Sequence, residues 1–248
     1  MADPPERGVM LRRAGMVAFE PRGAARARAM ALRARCFVEL GGALRDEDGH
    51  DATSRHLLVE DGAGRALCAL RWRVFEPAEV TQAASAASYD LSPLAGWPGR
   101  LMEIGRFCTA PEARDGAALR LALAALTRIV VRQRATLLFG CASFAGTDPA
   151  PHAPALAWLG AHHAAPRMIA PGRRAGEAVA LGGPVADPRA ARAGLPPLLR
   201  SYLGMGGVVG DHAVIDRAMN TLHVLCMVDV AAIPAPRARA LRALAFGP

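Results

Sequence analysis

Apolar residues recur along this chain with a period that changes from segment to segment. Between Ala24 and Leu40, Met30, Leu32, Phe37 and Leu40 interleave with Arg26, Arg28, Arg33 and Arg35, a helical spacing. Leu44 to Ser54 is polar, holds Asp46, Glu47, Asp48 and Asp51, and predicts a loop. His56 to Glu60 and Ala66 to Phe75 read as strands, and the Asp61-Gly62-Ala63-Gly64 turn between them predicts a hairpin. Thr81 to Gly99, rich in Ser, Ala and Pro, is too long for a hairpin turn and predicts a functional or covering loop. Leu101 to Thr109 reads as a third strand, ended by Pro111 to Gly116. Ala117 to Arg134 predicts an apolar helix with Arg120, Arg128, Arg132 and Arg134 facing outward. Thr136 to Ala142 reads as a buried strand, Gly146 to Pro149 as a turn and Pro151 to His163 as a helix. Ala178 to Leu181 and Leu222 to Val230 read as late strands, separated by a short helix, Pro196 to Tyr202. Pro236 to Phe246 predicts a short basic amphipathic helix.

Strands alternating with helices, after an opening helix and hairpin, indicate one mixed α/β domain. No internal repeat or linker interrupts it. The expected organisation is a loose tail over 1–15, a domain over 16–233 and a basic amphipathic tail over 234–248.

Composition narrows the class. Of 248 residues, 52% are apolar, which excludes a disordered chain. No run of about 18 uncharged apolar residues predicts a transmembrane helix. Met1 to Arg13 carries Asp3, Glu6 and several arginines without an apolar centre, so no secretory signal is expected. Cys36, Cys68, Cys108, Cys141 and Cys226 are scattered and form no Cys-x-x-Cys pair, so neither a zinc site nor a disulfide framework is expected. Most of them sit in apolar stretches and read as small buried hydrophobes, in a reducing cytoplasm. The net charge of +8 is carried entirely by arginine, for the chain has no lysine. It points to an acidic partner: nucleic acid, an anionic membrane surface or an acidic carrier protein. With only 5% aromatic residues and no basic–aromatic interleaving, nucleic acid is disfavoured.

The segment Glu103-Ile104-Gly105-Arg106-Phe107-Cys108-Thr109, followed by Arg114-Asp115-Gly116, carries the clearest chemistry. A strand leading through a Gly-containing turn into a helix presents free backbone N–H groups, which suit a phosphate or a pantetheine chain. Arg114 adds charge there. The plainer reading is a helix-start turn. Strand alternation puts Glu103 and Gly105 on one side, Ile104 and Arg106 on the other. A Glu and an Arg in an apolar strand are costly to bury unpaired, so they form either a structural salt bridge or a site.

Taken together, Glu-x-Gly-Arg-Phe-Cys (103–108), the Pro-x-x-Arg-x-Gly-x-x-Leu turn (111–119), Leu137 to Phe144 and Gly146-Thr147-Asp148-Pro149 resemble the ornithine lipid synthase family. Those proteins are L-ornithine N-alpha-acyltransferases that use acyl carrier protein thioesters. Leu195 to Tyr202, Gly210 to Asp216, Arg33-x-x-x-Phe37, Asp51 and Arg55 to Val59 look like the same family. The resemblance covers about residues 20 to 230 and implies a GNAT-like N-acyltransferase fold, a central mixed sheet flanked by helices. The related acyl-homoserine-lactone synthases usually carry a tryptophan soon after the Phe of Arg-x-x-x-Phe. Here Val38 to Ala43 follows Phe37 without an aromatic, which favours the ornithine enzyme.

The resemblance implies transfer of a 3-hydroxyacyl group from acyl carrier protein to the α-amine of L-ornithine, giving lyso-ornithine lipid. Such a reaction needs an anion site for the substrate carboxylate, a proton acceptor for the amine, a channel for the phosphopantetheine arm, and donors for the thioester oxyanion. Arg33, Arg71 and Arg106 are the candidates for the carboxylate site and its support, since the guanidinium fork suits a carboxylate; a solvated surface charge is the alternative for each. Phe37 belongs with them. Glu103 is the candidate general base, directly or through a water, with a structural partnership to Arg106 as its alternative. Asp46, Asp48 and Asp51 are candidates to receive the side-chain ammonium or to organise the active-site loop, Asp51 within the catalytic set; a solvated acidic loop is the alternative for all three and the favoured reading for Asp46. Phe107, Cys108, Thr109, Arg114 and Gly116 are the expected contacts of the acyl-phosphopantetheine arm.

His56 reads as a core histidine, and His152 as a capping or packing residue. The pair His162-His163 has no partner at metal-ligand spacing, so no metal is expected. Ser143 lacks a Gly-x-Ser-x-Gly context, so direct attack by the amine is favoured over an acyl-enzyme. No bound cofactor is expected beyond the carrier's own phosphopantetheine arm. The expected partners are acyl carrier protein and L-ornithine, in the cytoplasm, with the C-terminal tail offering contact to an anionic membrane. The rival readings are an acyl-homoserine-lactone synthase and a non-catalytic basic membrane-binding protein of the same fold.

Overall fold

A computed structural model describes residues 9–113 and 115–247. In chain order its elements are β1 (Val9–Arg13), β2 (Met16–Phe19), α1 (Gly23–Ala34), β3 (Arg55–Glu60), β4 (Ala66–Phe75), β5 (Tyr89–Asp90), β6 (Arg100–Thr109), α2 (Ala117–Gln133) and β7 (Ala135–Ala145). They continue as α3 (Ala153–His162), β8 (Gly172–Arg173), β9 (Ala178–Ala180), α4 (Pro188–Ala193), α5 (Pro197–Leu203), β10 (Val208–Asp216), β11 (Thr221–Asp229) and α6 (Ala235–Phe246). Two compact units interleave in sequence. The first holds the described residues up to Arg73, Ile104–Arg134, and the C-terminal residues from Ala235. The second holds Val74–Glu103 and Ala135–Pro234.

The first unit orders its strands β1-β2-β3-β4-β6. Residues 9–13, expected to be part of a loose tail, instead form β1 and pair antiparallel with β2, Arg13 opposite Met16. Ala14 (φ 47°) and Gly15 (φ 74°) make the connection, the two left-handed residues that a tight hairpin turn requires. The expected hairpin of β3 and β4 forms, with Asp61 Oδ1 accepting from the Ala63 and Arg65 amides. Helix α2 packs on β1, β2 and β3, and α6 packs on α2. Arg128, expected to face outward, turns in to donate to the Ala245 carbonyl at 2.6 Å and to the Met10 carbonyl. Leu58, Ala69, Cys108 and Ala110 meet Ala29 and Leu32 of α1 in the core between helix and strands.

The second unit orders its strands β6-β7-β11-β10-β9. The β6–β7 pair is parallel, from Arg100 opposite Ala135 to Glu103 opposite Phe139. The α2 crossover makes this direction possible, whereas β7, β11, β10 and β9 pair antiparallel. Together they make the mixed α/β architecture that the alternation of elements indicated. The stretch between β4 and β6 folds as short 3₁₀ turns that lay Val80, Ala83, Ala86, Leu91 and Leu94 over Leu137, Phe139, Leu225 and Met227. It is therefore a covering segment with a core of its own. Strand β10 escapes the sequence pattern because its register with β11 shifts between Val209 and Ala213, which interrupts the two-residue alternation.

Candidate active site

Helix α1 does not stop cleanly at Ala34. It widens into a π turn, Arg35–Glu39, whose capping Leu40 amide bonds the Arg35 carbonyl five residues back. Single π turns of this kind recur at functional sites. The turn carries Phe37, and Arg33 lies just before it. Downstream, Asp48 and Asp51 brace a short 3₁₀ turn reciprocally: Asp48 Oδ1 accepts from the His50 amide at 2.9 Å, and Asp51 Oδ2 accepts from the Asp48 amide at 3.1 Å. This is a capping box.

Into that loop run three arginines, all within the first unit. Arg33 is fully buried and uses its whole fork: Nε to Asp46 Oδ2 at 2.9 Å, Nη1 to Asp51 Oδ1 at 2.7 Å, and Nη2 to Asp51 Oδ2 at 3.1 Å. Arg71 grips Asp48 bidentately at 2.6 and 2.9 Å, and its Nη1 reaches Asp51 Oδ1 at 3.0 Å. Arg106 Nε donates to the Asp46 carbonyl at 3.3 Å and lies 2.9 Å from Asp46 Oδ1, and Nη2 donates to Asp48 Oδ2 at 3.2 Å. Asp46 is thus not the solvated loop residue expected. Its exposure is 3%, and Arg33, thirteen residues earlier, holds it. Burial works against ionisation of Asp51, yet the Arg33 hydrogen bonds and the Asp48 amide hold its carboxyl far below the usual range. A carboxylate so engaged is a weak proton acceptor, which fits Asp51 as organiser of the loop better than as a base.

The three arginines are not equivalent. Arg33 and Arg71 have side-chain exposures of 0% and 6%, whereas Arg106 retains 21%. Nη1 of Arg106 has no hydrogen bond among the described residues, and its guanidinium carbon lies 5.9 Å from the Phe37 ring centre. Burial and the neighbouring Arg71 charge lower the Arg106 pKa from its ordinary value. Its backbone is left-handed, φ 52°, inside a strand. This breaks the alternation expected along β6: a Cβ placed on Gly105 would lie 3.5 Å from Arg71 Nε, so Gly105 and Arg106 both serve the Arg71–Asp48 side. A left-handed arginine in a strand is a local cost of about 1–3 kcal/mol that only over-determining surroundings sustain.

Glu103 belongs to the second unit and does not pair with Arg106. Its Oε1 accepts from the Ser85 amide and hydroxyl, both at 2.7 Å, and Oε2 accepts from the Ala84 amide at 2.9 Å. The carboxylate thereby caps the 3₁₀ turn Ala84–Ala87 from outside its own segment. Oε2, with one bond, keeps an acceptor position open.

Of the residues expected along the acyl arm, Phe107 and Thr109 are half-buried on β6. Cys108 turns its side chain into the core and offers only its backbone. Gly116 caps α2 with φ 69°, and Arg114 lies outside the described residues. Nearby, a groove of about 1090 Å³ is lined by Arg28, Arg35, Arg65, Leu67, Ala113 and the first turn of α2 at Ala117 and Ala118. The groove was not legible in the sequence, because its wall is assembled from four separate segments. His56 is buried, with Nε2 3.3 Å from the Asp51 carbonyl, and His152 Nε2 lies 2.9 Å from the Ala145 carbonyl, so both pack as expected. Among the described residues, no group of three or more His, Cys, Asp or Glu side chains is placed to hold a metal.

Residues 32–124, which contain the whole arginine–aspartate cluster and Glu103, match the acetyltransferase (GNAT) domain family. An L-ornithine N(alpha)-acyltransferase of Rhodobacter capsulatus is 37% identical over 82% of this chain and 85% of its own length. The chain belongs to the L-ornithine N(alpha)-acyltransferase family. A second member, from Agrobacterium fabrum, is 34% identical over 82% of this chain and 73% of its own length. The fold agrees with that of the AHL synthase LasI, with a TM-score of 0.50 at 14% identity, covering 94% of this chain and 95% of that one. The chain is accordingly an N-acyltransferase of GNAT-like fold, and the reading of a non-catalytic protein falls away. Within this family framework the π turn, the acidic loop and β6 are the elements that bring Phe37, Asp48 and Arg106 together.

Proposed function

We propose that this N-acyltransferase moves a 3-hydroxyacyl group from the phosphopantetheine arm of acyl carrier protein to the α-amine of L-ornithine, releasing lyso-ornithine lipid and the free carrier thiol. Family membership at 37% identity across most of both chains carries the reading. Arg106 is the residue for the amino-acid carboxylate, because it alone of the three arginines keeps an exposed edge and an open Nη1. Arg33 and Arg71 hold Asp46, Asp48 and Asp51, and through them fix the Arg106 guanidinium; Phe37 supports its face. Three arginines against three aspartates leave the cluster formally neutral, so the substrate carboxylate meets a positioned donor rather than a surplus of positive charge.

The α-ammonium must lose a proton before its nitrogen can attack the thioester carbonyl. Glu103 takes that proton at Oε2, directly or through one water, its orientation fixed by the Ala84 and Ser85 donors. Nitrogen then bonds the carbonyl carbon, the oxyanion collapses, the C–S bond breaks, and the second proton of the attacking nitrogen passes to the departing sulfur, which leaves as the free thiol. The arm runs along Phe107–Thr109, with its phosphate toward the amides at the start of α2 and Gly116. Arg114, two residues before Gly116 in the sequence, adds positive charge to that segment of the chain.

The reading is tested with purified protein, 3-hydroxyacyl carrier protein, and either L-ornithine or S-adenosylmethionine as acceptor. Mass spectrometry of the products should show lyso-ornithine lipid. Turnover with S-adenosylmethionine instead would assign the chain to lactone synthesis, and no turnover with either would overturn the reading.

A further inference from the structure

The three hydrogen bonds that orient the Glu103 carboxylate come from two consecutive residues, Ala84 and Ser85. The carboxylate is therefore held only as firmly as the four-residue 3₁₀ turn Ala84–Ala87 that carries them. Such a turn has poor hydrogen-bond geometry of its own. The Ser88 amide closes it on the Ser85 carbonyl at 3.0 Å, and two carbonyls at its C-terminal end are taken by a distant segment. Arg174 Nη1 donates to the Ala86 carbonyl at 2.9 Å, and the Ala175 amide donates to the Ser88 carbonyl at 3.1 Å. Beside these bonds β5 and β8 pair antiparallel, Tyr89 opposite Arg173 and Asp90 opposite Gly172. We propose that residues 172–175 clamp the 84–87 turn, and that Arg174 is a positioning residue that acts on acyl transfer through Glu103.

Arg174 lies at the surface, whereas the turn it holds is buried at Ser85 and Ala86. A cationic side chain at the end of a helical turn satisfies the open carbonyls and complements the negative end of the backbone dipole. Here that side chain arrives from 88 residues further along the chain. The close approach of the two segments depends on Gly172, where a Cβ would lie 3.1 Å from Asp90 Cβ and 3.3 Å from its Oδ2. Tyr89, two residues past the turn, is fully buried and donates its hydroxyl to the His223 carbonyl at 2.8 Å, which ties that end of the segment to β11. Between this anchor and Glu103, the Arg174 bond is the tie made inside the turn itself. A tilt of the turn would carry the Ala84 and Ser85 donors, and the carboxylate with them, away from the reacting amine. A misplacement of about 1 Å can cost about 100-fold in rate. The inference rests on Glu103 being the proton acceptor of the proposed function.

The test measures acyl transfer to L-ornithine, together with thermal melts, for the full chain carrying Arg174→Met, Arg174→Lys, Glu103→Gln, or Arg174→Met combined with Glu103→Gln. Arg174→Met keeps the length of the side chain and removes the donor. Its kcat should fall about 10-fold, with KM for ornithine and for the carrier thioester within about twofold of the parent. Arg174→Lys keeps a donor and the charge and should recover most of kcat. In the Glu103→Gln background, Arg174→Met should change the residual kcat by less than about twofold, because no acceptor remains to be positioned. Parental kcat in Arg174→Met, an equal loss in both backgrounds, a loss that tracks the folded fraction, or Arg174→Lys no better than Arg174→Met would each overturn the clamp. Parental turnover by Glu103→Gln would remove Glu103 as acceptor and the clamp with it, leaving ornithine acylation standing. No acylation of ornithine by the parent protein would overturn the proposed function itself.

Discussion

Glu103→Gln separates the two jobs assigned to that side chain. The carboxylate accepts three hydrogen bonds, from the Ala84 amide at 2.9 Å and from the Ser85 amide and hydroxyl at 2.7 Å each. A glutamine of the same shape has one oxygen and one NH₂. If NH₂ replaces Oε2 it faces the Ala84 N–H; if it replaces Oε1 it faces the Ser85 N–H. In either orientation one buried backbone donor loses its partner. The hydroxyl of Ser85 can rotate to accept and recovers at most one bond. The penalty for an unsatisfied buried donor is about 1–3 kcal/mol, and the remaining bonds lose their charge assistance. We therefore expect a loss of ~2 kcal/mol, a fall in Tm of about 4–8 °C for a chain of this size.

Ser85→Ala is the control. It removes one donor, keeps both amides and the basic carboxylate, and should lose about 1 kcal/mol with kcat retained. Glu103→Gln should lose most of kcat at temperatures where the variant remains folded. Thermal melts and steady-state kinetics on the two variants decide the matter. If Glu103→Gln melts with the parent, the argument from the three donors is wrong. If the two variants lose kcat equally, Glu103 positions the 84–87 turn and is not the proton acceptor.

Arg33→Leu strands Asp46 and Asp51 in the core and should cost about 3–5 kcal/mol, read in chemical denaturation; a change below 1 kcal/mol would mean the cluster is hydrated and loose. Arg106→Lys keeps the charge but loses the fork, so KM for the amino acid should rise about 10- to 100-fold with KM for the carrier thioester unchanged, the reverse split assigning Arg106 to the donor. Burial, with the Arg33 and Arg26 charges, lowers the His56 pKa despite its bond to the Asp51 carbonyl. The unfolded chain then binds the extra proton below about pH 6.5, so folded-state stability should decline as pH falls through that value, and His56→Gln should flatten the decline in melts run from about pH 7.5 to 5. Deleting residues from Ala235 onward bares the face of α2 on which α6 packs and should lower Tm without abolishing any binding to anionic liposomes; lost liposome binding in a normally stable truncation would restore the tail as an anchor.

What the sequence discloses and what it withholds divide along a physical line. Residue types were legible where the chemistry is local: the Asp61–Gly64 turn, the period of α2, and the unusual Glu and Arg in an apolar strand. Partners were not. Asp46 reads as solvated because its neighbours are polar, and nothing in a window of that width discloses Arg33 thirteen positions earlier. Glu103 and Arg106, three apart on one strand, invite pairing, yet each is taken by a distant segment. The same limit governs backbone geometry. Ala14 adopts a left-handed turn position that Asn or Gly would have signalled, so β1 passed for a tail, and the left-handed Arg106 reverses the face that alternation assigns it. These failures fall on different ground. The hairpin turn is ordinary folding context overriding propensity, whereas Arg106 combines strain, residual exposure and an open donor in one residue. A strained position that also retains an unused charged donor is held for something other than packing. Independently of any relative, that combination makes Arg106, rather than the better-paired Arg33 or Arg71, the candidate for the substrate carboxylate.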